Sequence, residues 1–433
     1  MTLIEFFDRA DINNIVGALV YEPEKLVFLG KDNKEMRSSI EDYKKILNDR
    51  KLKTVIVSEK YANYNIFDIF ETLERILAEY DDCVFDLQGG DELFLVAVGM
   101  LYQKYGDKVQ LHRIDAGRNN VIDCDEKVRV VNSIPVELSV DEIVSIYGGR
   151  VIRTDEVKDG TYDWDFSEDF VADLDRMWKI FCEKNKYGTK TNCGVWNYLI
   201  SVFEQIEEKF CSGLHMEANL EDASLYLSSK NNRKTSIDFK NFLCVKLLEA
   251  GLISNYKYDR TEGVFSFDFR NEQVKRVLTS AGRLLEVYTT YLARELEKND
   301  MDFYTDVVTG VYIDWDGKVE NPMRETDESD EDFVPDVYNE IDIILMKGVA
   351  PIFISCKSGK IDMDELYKLS TVSERFGGPY VKKVLLCAGD LDTREAGEYI
   401  RARAKEMKIR IIEEVDFINL SEFRKDLRMI WDN

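Results

Sequence analysis

Histidine is nearly absent: the 433-residue chain holds two, His112 and His215. This scarcity weighs against zinc sites, Ser-His-Asp triads and histidine-based proton transfer, all of which depend on that side chain. No run of about 18 apolar residues occurs, so no membrane-spanning helix and no membrane partner is expected. Eight cysteines are scattered without C-x-x-C spacing, as expected for reduced thiols in a cytoplasmic protein. The opening MTLIEFFDRADINN lacks a basic stretch, so no signal peptide is expected. An excess of basic residues is also missing. With 58 basic against 83 acidic residues the net charge is −25, which argues against a passive nucleic-acid binder. The acidity is uneven. Residues 325–336 hold seven acidic side chains in twelve and read as a solvated loop, whereas 381–433 balance 11 basic against 11 acidic. Chemistry in this chain therefore falls to carboxylates and lysine.

Both gather in one stretch, Asn339 to Lys360, NEIDIILMKGVAPIFISCKSGK. It reads as two buried strands joined by a turn at Lys347-Gly348, with Ile341, Ile343 and Leu345 alternating on the first and Ile352, Ile354 and Cys356 on the second. A two-residue period puts Glu340 and Asp342 on one face of the first strand and Ser355 and Lys357 on one face of the second. Charges on an apolar hairpin are costly unless they pair with each other or hold a metal. Such groups suit metal-assisted phosphodiester hydrolysis. The carboxylates hold Mg²⁺ or Mn²⁺, and the lysine orients water or stabilises developing charge. The spacing resembles the PD-(D/E)xK nuclease superfamily, Asp342 matching its first carboxylate and Lys357 its lysine. Ser355 stands where that family usually has an acid, and Glu340 is expected to supply the missing charge. An ordinary hairpin with a surface salt bridge is the bland alternative.

At this length two or three domains are expected. Residues 1–125 alternate strands (TLIEFFD, KLVFLG, TVIVS, CVFDLQ, VQLHRID) with helical stretches near 13–22, 36–49, 66–80 and 91–105, which predicts a Rossmann-like parallel sheet. Ligands bind beyond the carboxyl ends of such strands. Three loops fall there: Ala10–Asn14, Ser58–Asn63 and Gln88–Glu92. In the last, Gly89 and Gly90 sit between a strand and an apolar helix, where backbone can approach a phosphate or simply pack tightly. The pattern is not G-x-G-x-x-G, so a nicotinamide cofactor is not supported.

DINNI (11–15), KLVFLG and DLQGGDELFLVAVG (86–99), together with the hairpin, resemble the CARF sensors of type III CRISPR systems. That resemblance implies a homodimer whose two-fold axis binds a cyclic oligoadenylate, with Asn13, Asn14, Ser58, Gly89, Gly90, Asp91 and Glu92 at the ligand-lining positions. Where many CARF domains carry Thr-Lys after the glycines, Asp91 and Glu92 follow here.

Further along, 125–160 reads as a β-rich connection and 167–300 as mainly helical. NFLCVKLLEAGLI followed by NYKYDRTEGVFSFDFRN suggests a winged helix with a turn at Arg260–Gly263, read as a packing or dimerisation spacer since Lys230, Arg233 and Lys234 are its one clear basic cluster. Residues 277–297 read as one strong helix in which Glu286 interrupts an apolar face. Superfamily resemblance makes Glu286 a further metal-binding carboxylate. Beyond the hairpin, Glu365 and Lys368 are expected to face it, and Arg401 and Arg403 to steer phosphates.

The predicted architecture is α/β, with a CARF sensor at 1–150, a helical or winged-helix connector at 151–275, and a restriction-endonuclease-like α/β domain at 276–433. By resemblance the chain is a homodimeric endonuclease activated by cyclic tetra-adenylate, using Mg²⁺ or Mn²⁺ to cut DNA or single-stranded RNA. Glu286, Glu340 and Asp342 would hold the metal and Lys357 would assist. Two rivals remain open. One is a winged-helix regulator with an inactive nuclease-like domain, and the other is a ring nuclease that degrades the cyclic ligand itself.

Overall fold

The computed structural model describes residues 1–7, 12–31, 34–115, 120–124, 129–133, 136–154, 160–184, 191–298, 301–317, 338–358, 361, 363–388, 391, 395–413 and 418–432. In the N-terminal lobe, strands and helices alternate as β1 (Thr2–Phe6), α1 (Asn13–Tyr21), β2 (Lys25–Leu29), α2 (Lys34–Asp49), β3 (Val55–Glu59), α3 (Ile66–Glu79), β4 (Cys83–Asp86), α4 (Glu92–Tyr105) and β5 (Gln110–Asp115). Two further strands, β6 (Asn120–Asp123) and β7 (Arg129–Ser133), follow. The sheet order is β3-β2-β1-β4-β5-β6-β7. Its first five strands are parallel, and β6 and β7 extend it antiparallel. Strands β1 and β4 are buried along their whole length, as expected of parallel strands covered on both faces. Residues of α1 and α2 pack one face, around Phe28 and Tyr43, and residues of α3 and α4 the other, around Phe85 and Leu101. The five strands and four helices stand where the sequence places them, to within a residue or two.

The chain then leaves the lobe through α5 (Val140–Ile146) and β8 (Arg150–Ile152). Helix α5 opens with a capping box, in which the Ser139 side chain accepts from the Glu142 backbone and the Glu142 carboxylate accepts from the Ser139 backbone. Strand β8 pairs with a strand more than 150 residues further on, Ile152 lying opposite Tyr312. Of the stretch 125–160 read as a connection, β7 thus extends the N-terminal sheet and β8 joins the C-terminal one. Periodicity within a three-residue strand cannot reveal a partner so distant.

The middle region runs α6 (Glu168–Cys182), α7 (Cys193–Phe210), β9 (Cys211–Ser212), β10 (His215–Asn219), α8 (Leu220–Lys230), α9 (Asn241–Glu249), β11 (Ile253–Asp259) and β12 (Val264–Phe269). The sheet order β11-β12-β10-β9 and the helix order around it are those of a winged helix. Phe203, Phe265 and Phe267 form its centre.

The expected helix at 277–297 is two helices, α10 (Glu272–Leu278) and α11 (Arg283–Arg294). Gly282, at φ +91, turns the chain between them, a conformation that L side chains rarely adopt. A short hairpin follows (β13, Glu297–Lys298; β14, Met301–Asp302). The C-terminal sheet is then built from β15 (Asp306–Asp314), β16 (Tyr338–Lys347), β17 (Ala350–Lys357), α12 (Met363–Phe376), β18 (Lys382–Cys387), α13 (Glu395–Glu406) and β19 (Ile409–Ile412). Its order is β19-β18-β17-β16-β15-β8. The closing helix Leu420–Asp432 contributes Phe423 and Leu427 to the core shared with the middle region. The acidic stretch 325–336 lies outside the described residues.

Candidate active site

Strands β16 and β17 pair in register from Lys347↔Ala350 to Ile343↔Ile354, and their pairing ends there. At the next position the Asp342 carboxylate takes over from backbone. Its Oδ2 accepts from the Cys356 amide at 2.5 Å and from Ser355 Oγ at 3.1 Å. Beyond this point β16 continues against β15, while β17 continues against β18. The strands part, and a cavity of about 280 Å³ opens between them, lined by Glu340, Asp342, Ser355, Lys357, Glu365 and Lys368 among others. The four hairpin residues singled out by sequence thus meet in one cavity. Ser355 does not replace an acid there. It holds Asp342.

The strict alternation expected along β16 breaks at this point. Ile343 and Leu345 pack with the middle region, whereas Ile341 packs with the opposite face of the sheet. On β15 the same reversal separates Val307 from Val311 and Ile313. Between them lies Gly310, at φ +59. A Cβ at Gly310 would come within 2.8 Å of the Arg283 guanidinium, so the glycine both turns the strand and makes room for that arginine.

Arg283 comes from the start of α11, three residues before Glu286, so the two side chains share one helix face. Its Nη1 donates to Glu286 at 2.7 Å and its Nη2 to Glu340 at 3.3 Å. Glu286 is 7 % exposed. Burial, reinforced by the charges of Asp342 and Glu340, pushes its carboxyl up to about 8 even with Arg283 beside it. Asp342 is also raised, chiefly by burial, although Lys357 and the Cys356 amide favour its charged form. Burial works against the Lys357 charge, but Glu365 at 2.8 Å and nearby Asp342 outweigh it and hold the ammonium above its ordinary range.

The donor set of Asp342, Glu340 and Glu286 is all carboxylate oxygen, which suits a hard divalent cation, and crowding of buried acids is a cost that such a cation relieves. Among the described residues no three His, Cys, Asp or Glu side chains stand together as a ligand shell, and Arg283 lies between Glu286 and Glu340. The residues fit a cation by their chemistry once that arginine turns away. Arg401 and Arg403 do not face the cavity. Arg401 is held bidentate by Glu413 at 2.8 Å and by the Leu391 carbonyl, and Arg403 pairs with Glu406 at 2.8 Å.

In the N-terminal lobe the expected ligand residues cluster at the carboxyl edge of the parallel sheet. Asn13 and Asn14 open α1 and are buried, Asn14 donating to the Tyr43 hydroxyl at 3.3 Å. A Cβ on Gly89 would meet the Phe6 carbonyl at 2.3 Å, and Gly90, at φ +81, lies against the Phe6 side chain. The glycines are thus required by packing against the end of β1. Asp91 caps α4, accepting from the Leu93 amide at 3.0 Å, and Tyr64 donates to it. Glu92 is exposed in the first turn. Ser58 lies within β3 rather than in the loop after it, with its side chain exposed. Ala10 and Asp11 of the first loop lie outside the described residues. Next to the glycines, Gln88 Nε2 donates to the Tyr380 hydroxyl at 3.0 Å, in the segment that follows α12. The sequence reading missed this link and missed Arg283. Only the three-residue spacing to Glu286 and the glycine inside β15 hinted at the latter.

No family model matches the chain, and no curated protein is similar to it in sequence. Among solved structures the fold is similar to that of protein VC1899 from Vibrio cholerae, with a TM-score of 0.69 at 16% identity, covering 100% of this chain and 99% of that one. It is also similar to Can2 from Sulfobacillus thermosulfidooxidans, solved in complex with cyclic tetra-adenylate, with a TM-score of 0.61 at 14% identity, covering 100% and 97%. At these identities the likeness is one of fold, and it runs the length of both chains.

Proposed function

We infer, from a fold shared end to end with a protein solved in complex with cyclic tetra-adenylate, that this chain is a metal-dependent nuclease switched by a cyclic oligoadenylate. The observation that carries the nuclease half is the parting of β16 and β17 at Asp342, which gathers two carboxylates, a lysine and a partner acid in one polar cleft. Asp342, with Glu340 and Glu286 once Arg283 has turned away, would hold Mg²⁺ or Mn²⁺, whose chemistry is to neutralise charge on the phosphorus oxygens and lower the pKa of water. Asp342 is pre-aimed by Ser355 and the Cys356 amide. Lys357, kept charged by Glu365, stands ready to stabilise the developing negative charge. The substrate is DNA or RNA, and the cleft, rather than the protein's overall acidity, holds it.

The sensor half rests on the carboxyl edge of the parallel sheet, where Asn13, Asn14 and the Gly89-Gly90 turn lie. A second copy of the chain completes that site in our reading. Phe67 on α3 and Leu95 and Val96 on α4 are exposed apolar side chains on neighbouring helices, as a dimer face requires. The winged-helix regulator is less well supported. On α9, the helix that would read DNA, Phe242, Val245 and Leu248 are exposed where basic side chains would be needed.

Cleavage of supercoiled plasmid and single-stranded RNA with Mn²⁺, with and without cyclic tetra-adenylate, tests the reading. Ligand-dependent cutting that falls at least 100-fold in Lys357→Ala is expected. No cutting with any divalent metal while the ring still binds would overturn it in favour of a regulator. Consumption of the ring without cutting would favour a ring nuclease.

A further inference from the structure

Arg283 stands where a metal would. Its Nη1 donates to Glu286 at 2.7 Å and its Nη2 to Glu340 at 3.3 Å, so one planar guanidinium bridges carboxylates from α11 and β16. Asp342 lies close enough to act on the same guanidinium, while Lys357 is already held by Glu365 at 2.8 Å. Enclosed acids need a counter-charge, and here an arginine supplies it. A guanidinium and a divalent cation repel each other and compete for the same oxygens. A metal held by Glu286, Glu340 and Asp342 therefore has to displace Arg283.

The displaced side chain has somewhere to go. A second cavity, of about 340 Å³, is lined by Arg283 even while it holds both acids. Its walls suit a guanidinium rather than an anion. Glu207 on α7 and Glu272 on α10 bring carboxylates to it, and Thr279, Ser280 and Thr309 bring hydroxyls that can accept. Glu207 is engaged by Lys275 at 3.0 Å, but Glu272 meets Arg276 only at 3.8 Å and has lone pairs to offer. Glu204, three residues before Glu207 on α7, accepts from the Ala281 amide at 3.4 Å and lies within electrostatic reach of Arg283. Gly310 lines the same cavity. A Cβ there would come within 2.8 Å of Arg283 Nη1, so the glycine leaves the side chain room to swing.

We propose that Arg283 is the resident counter-ion of the acidic cleft and moves into the neighbouring cavity when a divalent cation binds, so that this residue sets how tightly the cleft holds its metal. The purpose of the exchange rests on the nuclease reading. Without metal the cleft keeps its acids neutralised and in place. With metal, the affinity observed is the intrinsic one reduced by the cost of moving the arginine.

Metal binding can be read without nucleic acid. Free Mn²⁺ counted by electron paramagnetic resonance through a titration gives the affinity of the full-length protein, of Arg283→Met and of Arg283→Lys. Removing the competing charge should tighten binding at least about 10-fold in Arg283→Met, whereas Arg283→Lys keeps the charge and should stay much nearer the unaltered protein. A second measurement does not depend on the neutral variant folding. In unaltered protein labelled with ¹⁵N-arginine, the Arg283 Nε–H signal, assigned by its loss in Arg283→Lys, should shift when Mg²⁺ is added. Equal Mn²⁺ affinity in the unaltered protein and Arg283→Met, with an unmoved Nε–H signal, would overturn the exchange while leaving the nuclease reading intact. Tighter binding in Arg283→Met and a shifted signal, in a protein that cuts nothing with Mn²⁺, would keep the exchange and remove the nuclease.

Discussion

Arg283 carries an unusual load for one side chain. Its guanidinium is almost enclosed, answers two carboxylates and depends on the missing Cβ of Gly310 for space. Glu286 sets the electrostatics around it. Because burial lifts that carboxyl to about 8, the folded protein binds a proton there more tightly than the unfolded chain, whose glutamates titrate near 4.3. The stabilising contribution is complete below the unfolded value and is lost as pH rises through 8. Metal-free protein should therefore lose stability between about pH 5 and pH 8, by no more than about 1.4 kcal/mol per unit from this group. Glu286→Gln should flatten the fall, as read from urea melts in EDTA across that range. Carboxylates whose pKa is lowered, such as Glu142 and Glu374, act below pH 4.5 and do not enter this window. At this scale the sequence was informative about the acids and mute about the cation. Asp342, Glu340 and Lys357 are legible because a two-residue period brings charges into an apolar hairpin, whereas the reach of Arg283 depends on a strand reversal at Gly310 that no local pattern announces.

Helix α12 joins the two halves of the proposed switch. Glu365 in its first turn holds Lys357, and just past its other end Tyr380 accepts from Gln88 beside Gly89 and Gly90. A change at the Gly89-Gly90 turn is thus one hydrogen bond from an element that touches Lys357. Tyr380→Phe removes that bond. Since such a bond is worth about 1 kcal/mol, stimulation by cyclic tetra-adenylate should fall about fivefold, with ligand-free cutting unchanged. Cleavage rates with and without ligand give the ratio directly, and equal stimulation in the variant would place the coupling elsewhere. Elements were the most legible level of the sequence. Long amphipathic stretches and fully apolar strands announced themselves, while the break at Gly282 was masked by good helix formers on either side.

The lobes are stitched together by more than their linker. Arg50, near the end of α2, donates to both oxygens of Glu142 at 2.6 and 2.7 Å, and Leu138 donates its amide to the Gly348 carbonyl at 2.9 Å. Residues of α5 pack in one apolar cluster with residues of both sheets. A C-terminal fragment beginning at residue 136 keeps α5 and β8 and should melt cooperatively. One beginning at 153 bares the edge of β15 and the face under α5, and it should aggregate or melt at least 10 °C lower by circular dichroism. Burial of Val140, Ile143 and Val144 is of the size that supports such a shift. The domain division expected from sequence, between 150 and 151, falls inside β8, after its first residue.

Strand β8 also sets a timetable. During synthesis Ile152 emerges about 160 residues before its partner Tyr312, a wait of roughly 10–30 s at about 5–20 residues per second. Throughout that interval the N-terminal lobe has all its strands and can fold, whereas the C-terminal sheet lacks β15 to β19. On the proposed function, each newly made molecule has a finished receptor before it has a blade, so the capacity to be restrained precedes the capacity to do damage.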